Sequence, residues 1–288
     1  MMEKQTIGRR FKNMLRILPD KLYLKFVYFV IYKRRLNLTA PKYWNEKMQY
    51  KKLYHRNELI TKVADKIQLR DFAQEKLGTD ITPEILWTGK DPKAIPFKKL
   101  PNQFVIKTNH GIGTNLIVEN KLRLNHDEVI ETVNDWLSYD YFYPERQWAY
   151  KNIKRQVLVE ELLYDDEGKI PADIKLYMFN GKLGAINLHY DRFKATHQNI
   201  LVDHDFQLLH NETPISKDLS HMKPDKFAEM VRDAEKLASE FDFIRVDFYD
   251  LGNDYALSEL THYPAAGIKR MPKEIDLYLG ELWNLSKD

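Results

Sequence analysis

Hydrophobic residues recur at helical spacing in several stretches of the chain. Apolar positions over 59–77 predict a helix that ends at Gly78. The stretch 125–137 opens with asparagine followed by glutamate three residues on, a typical helix start, and continues with helical apolar spacing. A third apolar stripe predicts a helix over 224–241. Residues 1–58 are expected to form a helical N-terminal segment that prolines interrupt.

Runs rich in β-branched and aromatic residues predict the strands. These runs cover residues 104–107, 116–118, 156–163, 174–180, 183–190 and 243–250, and a last run begins at 255. Asn180 and Gly181 join two of them in a tight hairpin. Because antiparallel hairpins dominate the second half and helices are mixed with strands, the predicted fold class is α+β. A Rossmann fold is disfavoured, since no glycine-rich turn leads from a strand into a helix.

The last predicted hairpin carries a carboxylate on each strand, Asp247 and Glu259. With a five-residue loop or a bulge the two would face each other, about 4.5–5.5 Å apart at Cβ. Carboxylates so close repel each other and require a cation, and their oxygens suit Mg²⁺ that carries the phosphates of a nucleotide. The alternative is an ion pair of Asp247 with Arg245 on the same face, with Glu259 turned to the other face by a loop of even length.

The composition is that of a folded protein without a strong charge bias. The 288 residues are 43% hydrophobic and 12% aromatic, enough for one large domain or two ordinary ones. A formal charge of +3 does not indicate a nucleic-acid partner. The chain has no cysteine, which excludes disulfides, thiol catalysis and cysteine-bound zinc and agrees with a cytoplasmic location.

The most apolar run of the chain, residues 22–32, lies near the N-terminus. It is interrupted by Lys25 and is too short to span a bilayer, and no signal-peptide pattern precedes it. Basic residues flank it on both sides, so residues 9–35 could contact an anionic membrane surface as an interfacial helix. A buried helix with a basic flank is the alternative.

A glycine-containing turn and the strand before it have features of phosphate binding. Bare backbone amides can approach a phosphate closely, and a lysine beside the turn adds positive charge. In FVIKTNHGIGTN, Lys107 ends the strand, Gly111 and Gly113 leave room in the turn, and His110 could contact a phosphate. An ordinary hairpin turn is the competing interpretation.

Two further runs place polar residues where they suit a nucleotide. In QVLVEELL, backbone groups near Glu160 and Glu161 could pair with an adenine ring while Leu163 covers its face. Asp173 and Lys175 alternate on one face of the next strand, where they could hold a ribose hydroxyl and a phosphate, or each other. A sheet edge with solvated glutamates is the alternative for the first run.

The order of these features resembles that of ATP-grasp enzymes, whose nucleotide lies between two α+β subdomains. The strings KTNHGIGTN, VEELL, ADIKLYMFNGK, RVDFYDLG and SELTHYPAAG narrow the resemblance to the TupA-like ATP-grasp family, named for teichuronopeptide biosynthesis. The resemblance covers roughly residues 20–270. It implies an ATP-grasp domain over 59–288, with a lid subdomain at about 100–160 and a metal-binding subdomain at about 161–288.

The resemblance also implies roles for single residues. Lys66 and Lys107 would contact phosphates, and Lys175 and Arg192 would lie near the γ-phosphate and the acyl group. The other implied roles are a flexible lid at Gly111 and Gly113, an adenine hinge at Glu160, Glu161 and Leu163, a ribose contact at Asp173, and Mg²⁺ ligands at Asp247 and Glu259. Thr261 stands where the wider pattern has a metal-binding asparagine, so its role as a third ligand stays open.

The implied activity is that of a ligase that uses ATP and Mg²⁺ to join a carboxylate to an amine through an acyl phosphate. Because the family is found in surface-polysaccharide pathways, the implied partners are a uronic acid of a polysaccharide or lipid-linked precursor and an amino acid. The protein is expected in the cytoplasm, and at the inner face of the membrane if its N-terminal helix contacts lipid. The sequence does not specify the oligomeric state.

Two other functions stay open from the sequence. A nucleotide-sugar glycosyltransferase also uses Mg²⁺ and acidic ligands, and Asp203 and Asp205 have the spacing of its D-x-D motif, although no nucleotide-binding pattern surrounds them. A non-catalytic polysaccharide-binding protein could use the 17 tyrosines and 5 tryptophans. Binding of ATP would favour the ligase, binding of a UDP-sugar the glycosyltransferase, and binding of no nucleotide the polysaccharide-binding protein.

Overall fold

The structure of the protein, a computed structural model, describes residues 15–190, 197–211, 219 and 222–286. Within these ranges the α-helices are α1 (Asp20–Tyr32), α2 (Trp44–Tyr54), α3 (Glu58–Ala64), α4 (Gln68–Leu77), α5 (His126–Ser138), α6 (Phe227–Ala238) and α7 (Lys273–Glu281). The strands are β1 (Ile85–Gly89), β2 (Phe104–Thr108), β3 (Asn115–Val118), β4 (Val157–Glu160), β5 (Ala172–Phe179), β6 (Lys182–Tyr190), β7 (Gln198–Asp203), β8 (Leu208–Asn211), β9 (Phe243–Asp250) and β10 (Tyr255–Thr261).

The strands of the described residues form two sheets. One has four strands in the order β1-β4-β2-β3, and the other has six in the order β10-β9-β5-β6-β7-β8. All of the neighbouring strands in both sheets run antiparallel. The α+β class predicted from the hairpins is therefore confirmed.

The six-stranded sheet has an apolar face and a polar face at its centre. On the apolar face, Ile174, Leu176 and Met178 of β5 pack against α4 and α6 in one hydrophobic cluster. Asp173 and Lys175 alternate with these residues and therefore point to the other face. The alternation therefore places apolar side chains in the core on one side of the sheet and polar side chains on the other side.

Two further hydrophobic clusters position helices on the two sheets. In the four-stranded sheet, Val129 and Val133 of α5 pack against the apolar face. The predicted cap of α5 is present, since Asn125 Oδ1 accepts from the N–H of Asp127 at 3.1 Å. In the six-stranded sheet, α2 and α7 pack against one end of the polar face through residues such as Trp44 and Leu279. No described helix has the length and apolar character needed to cross a membrane.

The single helix predicted over 59–77 is interrupted, and this expectation was wrong. The chain leaves α3 at Asp65 and enters α4 at Gln68, although α4 does end at Gly78 as predicted. Asp65 Oδ1 accepts from the N–H of Ile67 at 2.9 Å, and the N–H of Lys66 donates to the carbonyl oxygen of Asn109 at 3.1 Å. The contact with a distant turn thus replaces helical hydrogen bonds and places Lys66 between the two helices.

Gly280 marks a close approach between α7 and the chain before α2. A methyl group on Gly280 would overlap the carbonyl oxygen of Lys42 and lie 2.8 Å from the nitrogen of Trp44, and neither backbone atom can rotate away. We expect Gly280→Ala to lower the free energy of unfolding by about 1–3 kcal/mol, as overpacking does. Glu281→Ala, at the exposed neighbour, should change it by less than about 0.5 kcal/mol. Denaturant unfolding measures both values, and equal values would contradict the close approach.

Candidate active site

A β-bulge at Ser258 sets the geometry of the acidic hairpin. The loop between β9 and β10 has four residues, an even number that would turn Glu259 away from Asp247 in a regular ladder. The pairing shifts between Leu257 and Glu259, however, and Glu259 becomes the partner of Asp247. The extra residue therefore keeps both carboxylates on one face while Leu257 and Leu260 remain in the core.

Arg245, the competing partner for Asp247 in the sequence, binds both carboxylates. Its Nε and Nη2 donate to the two carboxylate oxygens of Asp247, each at 2.6 Å. Nη2 also donates to Glu259 Oε1 at 3.2 Å and to Thr261 Oγ1 at 3.1 Å. Burial alone would lower the pKa of Arg245, but Asp247 raises it above the ordinary value of arginine. The planar guanidinium thus joins β9 to β10 through charged hydrogen bonds.

Lys175 of β5 supplies a second cation to Asp247. β5 pairs with β9 so that Lys175 lies opposite Asp247 and Asp173 lies opposite Tyr249. Lys175 Nζ donates to Asp247 Oδ2 at 2.9 Å and lies 3.4 Å from Asp173 Oδ1. Burial alone would lower the pKa of Lys175, but Asp247 and Asp173 raise it, so the ammonium stays charged at neutral pH.

Lys66 connects the acidic hairpin to the glycine-containing turn of the four-stranded sheet. Its Nζ lies 3.5 Å from Glu259 Oε2 and donates to the carbonyl oxygen of Gly111 at 2.9 Å. Burial alone would raise the pKa of Glu259, but Lys66 and Arg245 hold it well below its usual range. The carboxylate of Glu259 therefore stays ionised, and one lysine links the two sheets across the site.

The turn between β2 and β3 is closely packed at Gly111 and open at Gly113. A methyl group on Gly111 would overlap the hydroxyls of Thr108 and Thr114, which lie 2.7 Å apart and share a hydrogen bond. Gly113 has a φ of +68°, a conformation that favours glycine, and apart from its two chain neighbours no residue has a heavy atom within 4 Å of the position of a Cβ. The turn is thus anchored at its first glycine and leaves its backbone accessible at the second.

Lys107 of the four-stranded sheet forms a buried ion pair. Its Nζ donates to Glu160 Oε2 on the neighbouring strand β4 and lies 5.8 Å from the ring centre of Tyr249. Burial alone would lower the pKa of Lys107, but Glu160 raises it above its ordinary value. The side chain of Glu160 therefore neutralises a lysine, and its backbone lies inside the sheet between β1 and β2, so Glu160 does not support the predicted adenine contact.

These groups line one cleft between the two sheets, with a volume of about 460 Å³. The residues of the lining that the sequence singled out are Lys66, Lys107, Gly111, Gly113, Asp173, Lys175, Glu259 and Thr261. Asp247 is fully buried behind them and reaches the cleft through Lys175 and Arg245. The volume is within the usual range of ligand sites, about 300–1,000 Å³.

A smaller apolar cavity adjoins this cleft. Its apolar wall consists of Pro83, Val105, Ile117, Leu162, Leu163, Ile170 and Pro171. Lys107, Asn115, Asp173 and Tyr249 line both cavities. Of the predicted adenine hinge, Glu161 and Leu163 line this cavity. An apolar cavity that opens onto a row of lysines is chemically suited to a base with attached phosphates.

The sequence profile of the family described as TupA-like ATPgrasp matches residues 46–284. The chain belongs to the TupA-like ATP-grasp family. The resemblance drawn from the sequence strings, and the ATP-grasp fold that it implied, are confirmed. A comparison with curated proteins found no significant match.

Solved structures that match the fold include ATP-grasp ligases. D-Alanine–D-alanine ligase from Bacillus anthracis, complexed with ATP, is 14% identical over 70% of this chain and 54% of that chain, with a TM-score of 0.39. The ligase PsnB with its minimal precursor is 13% identical over 79% and 61%, with a TM-score of 0.44. D-Alanine–D-alanine ligase from Helicobacter pylori is 14% identical over 83% and 69%, with a TM-score of 0.48. The chain spans less than two thirds of the first two.

The donor set of this ATP-grasp site fits Mg²⁺ in its chemistry. Glu259 and Thr261 line the cleft and offer hard oxygen donors. Asp247 adds a second carboxylate, but Arg245 and Lys175 bind both of its oxygens, so it can meet a metal only if one of these contacts opens. The described ranges contain no group of three or more His, Cys, Asp or Glu suited to a metal. Mg²⁺ needs no such group, because one or two carboxylates with phosphates and waters commonly suffice.

Besides Glu160, two predicted site residues do not contribute to the ATP-grasp cleft as described. Arg192 lies outside the described residues. His110 is buried, with Nε2 3.4 Å from the carbonyl oxygen of Tyr139 and its ring edge-on to Tyr141. Burial, and then the charge of Arg155, lower the pKa of His110 to about 4. A neutral, covered imidazole gives no support to the predicted phosphate contact.

The cleft also contains residues that sequence reasoning missed. The sequence indicates Arg245 only as a competitor of the metal for Asp247, although its position two residues before Asp247 also places it on the same face of the strand. Asn187 and His189 of β6 pair with Lys175 and Asp173 of β5 and extend the polar face of the sheet. Their alternation in NLHY is the signal that could have identified them.

A strained turn closes one side of the cleft. Ala265 and Ala266 have φ values of 46° and 54°, a left-handed conformation that costs alanine roughly 1–2 kcal/mol per residue. Gln49 Nε2 of α2 donates to the carbonyl oxygen of Gly267 at 2.8 Å, and Lys52 Nζ donates to that of Ala266. Contacts with α2, which is distant in the chain, hold this turn. The sequence therefore has no local pattern that predicts it.

The buried His110 predicts a specific dependence of stability on pH. Its folded pKa of about 4 is below the ordinary 6.5, so between these values the unfolded chain binds a proton that the native state excludes. Native stability should therefore fall as pH decreases from 6.5 towards 4, by at most about 1.4 kcal/mol per pH unit from this residue. The free energy of unfolding of His110→Phe, relative to that of the wild type, should be about 2–3 kcal/mol higher at pH 4.5 than at pH 7.

Denaturant unfolding at the two pH values measures this difference. His204→Phe, at an exposed histidine, is the control for the loss of one imidazole. Parallel pH profiles for the wild type and His110→Phe would contradict the burial of a neutral His110.

Proposed function

We propose that the protein is an ATP-dependent carboxylate–amine ligase that forms an amide bond through an acyl phosphate. The observation that carries the proposal is the convergence of Lys66, Lys107, Lys175 and Arg245 with two carboxylates in one cleft of an ATP-grasp chain. An apolar cavity adjoins these cations. Such a site can hold a nucleoside triphosphate and stabilise the charge that moves during phosphoryl transfer.

In this proposal ATP spans the two cavities. The adenine occupies the apolar cavity, where Leu163 covers its face and the carbonyl oxygen of Glu161 provides a hydrogen-bond acceptor, since the N–H of Glu161 already donates to the carbonyl oxygen of Glu84. Asp173 then lies next to the ribose, and the phosphates extend towards Lys107 and Lys66. Asp173 and Lys107 support this placement, since both line the two cavities.

The reaction consists of two transfers. A carboxylate oxygen of the acceptor attacks the γ-phosphorus, the bond from the γ-phosphorus to the bridging oxygen breaks, and ADP leaves. The nitrogen of the amine then attacks the acyl carbon, loses a proton and displaces inorganic phosphate, which leaves an amide. No protein nucleophile takes part in either transfer.

The charged residues of the cleft stabilise both steps. Lys175 is a fixed positive charge rather than a base, because Asp247 and Asp173 raise its pKa. Arg245 and Lys175 face the charge that develops on the phosphoryl group and on the later oxyanion. Mg²⁺ held by Glu259, Thr261 and Asp247 would neutralise phosphate oxygens. The catalytic role of Arg192 stays a prediction.

The acceptor is proposed to be a uronic acid of a surface polysaccharide or of its lipid-linked precursor, and the amine an amino acid. The association of the family with surface polysaccharides supports this choice. Asn187 and His189 next to Lys175 also support it, because amide and imidazole groups hydrogen-bond well to sugar hydroxyls. The enzyme would work in the cytoplasm, and at the inner face of the membrane where a lipid-linked acceptor is used.

The glycosyltransferase alternative is not favoured by the structure around its motif. Asp203 Oδ1 accepts from the N–H groups of Asp205 and Gln207, each at 2.9 Å, and thereby holds a turn. Neither aspartate belongs to the lining of the cleft. A non-catalytic polysaccharide-binding role would not need the paired lysines and carboxylates of the cleft.

Thermal shift measurements test the nucleotide and the metal together. A hundredfold excess of MgATP over its Kd should raise the unfolding midpoint by roughly 5 °C. Asp247→Asn and Glu259→Gln lose the metal contacts. In each variant, the thermal shift with MgATP should therefore be no larger than the thermal shift with ATP and a chelator. Glu131→Gln, an exposed carboxylate on α5, should keep the full shift. A shift with a UDP-sugar but not with ATP would favour the glycosyltransferase, and no shift with any nucleotide would favour the binding protein.

Arg245→Lys separates catalysis from nucleotide binding, because lysine keeps the positive charge between Asp247 and Glu259 but lacks the planar guanidinium. Loss of one preorganised donor to the transferred charge should lower the rate of ADP release about 10²–10³-fold, while the MgATP thermal shift remains. ADP release is measured with MgATP alone and with pairs of uronic acids and amino acids. A variant with a retained shift and wild-type ADP release would refute the role of Arg245.

A further inference from the structure

Helix α1 carries an exposed apolar face. Leu22, Phe26, Phe29 and Val30 are 57%, 50%, 53% and 44% exposed. Their spacing of four, three and one residues places them on one side of the helix. On the opposite side, residues such as Tyr28 are buried against the rest of the protein. The helix is therefore apolar on both sides, and only one side has a partner among the described residues.

This face is unusual for the surface of the described chain. Nine large hydrophobic residues are exposed within the described ranges, and five of them lie between Ile17 and Val30. The other four lie apart from one another in the sequence, from Tyr54 to Leu208. Single exposed apolar residues need no explanation, but a contiguous patch indicates an interaction surface.

The charges around the apolar face are almost all positive. Lys21, Lys25 and Lys33 are exposed beside it. The single acidic residue of α1, Asp20, is held by Arg56 at 2.7 Å and by Arg146 at 2.9 Å. Residues 1–35 contain ten basic and two acidic residues, a formal charge of +8, so the remaining 253 residues carry −5. The positive charge of the protein is thus concentrated in the part of the chain that bears the apolar face.

We propose that α1 docks in the plane of an anionic membrane surface. A helix of 13 residues is about 20 Å long, too short to span a bilayer but suited to lie in the interface. Aromatic and aliphatic side chains would enter the boundary between headgroups and acyl chains, while the lysines meet anionic headgroups. A protein partner is less well matched, because lysine is depleted in protein interfaces.

The position of α1 connects this docking to the cleft. The hydroxyl of Tyr23 donates to the carbonyl oxygen of Pro144 at 2.5 Å, and that of Tyr32 donates to the carbonyl oxygen of Lys269 at 3.1 Å. Lys269 and Glu145, the neighbour of Pro144, both line the cleft. Docking would therefore hold the rim of the cleft next to the bilayer. If the proposed ligase activity is correct, the acceptor reaches the cleft from the membrane as a lipid-linked sugar.

Co-sedimentation of the full chain with vesicles tests the docking without reference to activity. The two vesicle types are phosphatidylcholine alone and phosphatidylcholine with about one third phosphatidylglycerol. We expect binding to the anionic vesicles only, weakened by salt. Lys21→Glu with Lys25→Glu should lower the partition coefficient at least about 25-fold, and Phe26→Ser with Phe29→Ser at least about tenfold. These side chains are exposed, so the variants should keep the wild-type unfolding midpoint.

Matched controls repeat each change on another surface. Lys98→Glu with Lys99→Glu makes the same charge change at exposed loop positions, and Leu122→Ser removes another exposed apolar residue. Both controls should bind the anionic vesicles like the wild type.

Three results would overturn the docking. One is no binding to the anionic vesicles. The second is an equal loss of binding in the control variants. The third is a dimer in sedimentation velocity that Phe26→Ser with Phe29→Ser dissociates, which would make the face an interface between copies. A failure of vesicle binding leaves the MgATP thermal shift unaffected, so the two proposals can fail separately.

Discussion

The site depends on the contact of one guanidinium group with two carboxylates. Asp247 is fully buried and Glu259 stands opposite it, so their mutual repulsion would be costly without cations. Arg245 binds both carboxylates, and Lys175 and Lys66 complete the pairing from β5 and from the junction of α3 with α4. Because each has a partner of opposite charge, Arg245, Lys175 and Glu259 stay ionised in a cleft partly shielded from water, where electrostatic stabilisation of a moving charge is strong.

The helices before the first sheet belong to the same arrangement. Lys51 of α2 pairs with Asp242 at 3.0 Å and donates to the carbonyl oxygen of Phe243, at the start of the strand that carries Arg245. The same helix holds the strained turn Pro264–Gly267 on the other side of the cleft. The helical N-terminal segment therefore supports the floor and one wall of the site. Its first helix, α1, adds an exposed apolar face flanked by lysines at the rim of the cleft.

Much of the fold could be predicted because its elements follow local patterns. Alternating polar and apolar residues predicted the hairpins of the six-stranded sheet, and an asparagine cap predicted the start of α5. The helix predicted over 59–77 was wrong at Asp65, because the N–H of Lys66 bonds to a turn more than forty residues away. Strands β7 and β8 lie where no strong pattern predicted a strand, and pairing with β6 stabilises them there.

By itself, the sequence determined the α+β class, the family and the set of charged residues, since residue identity and local periodicity carry that information. Only the tertiary structure decided how those residues meet. The bulge at Ser258 turns Glu259 towards Asp247, Arg245 bridges both, and burial removes His110 from the cleft. Each of these outcomes depends on the free energy of contacts between residues distant in the chain, and no local sequence pattern encodes that energy.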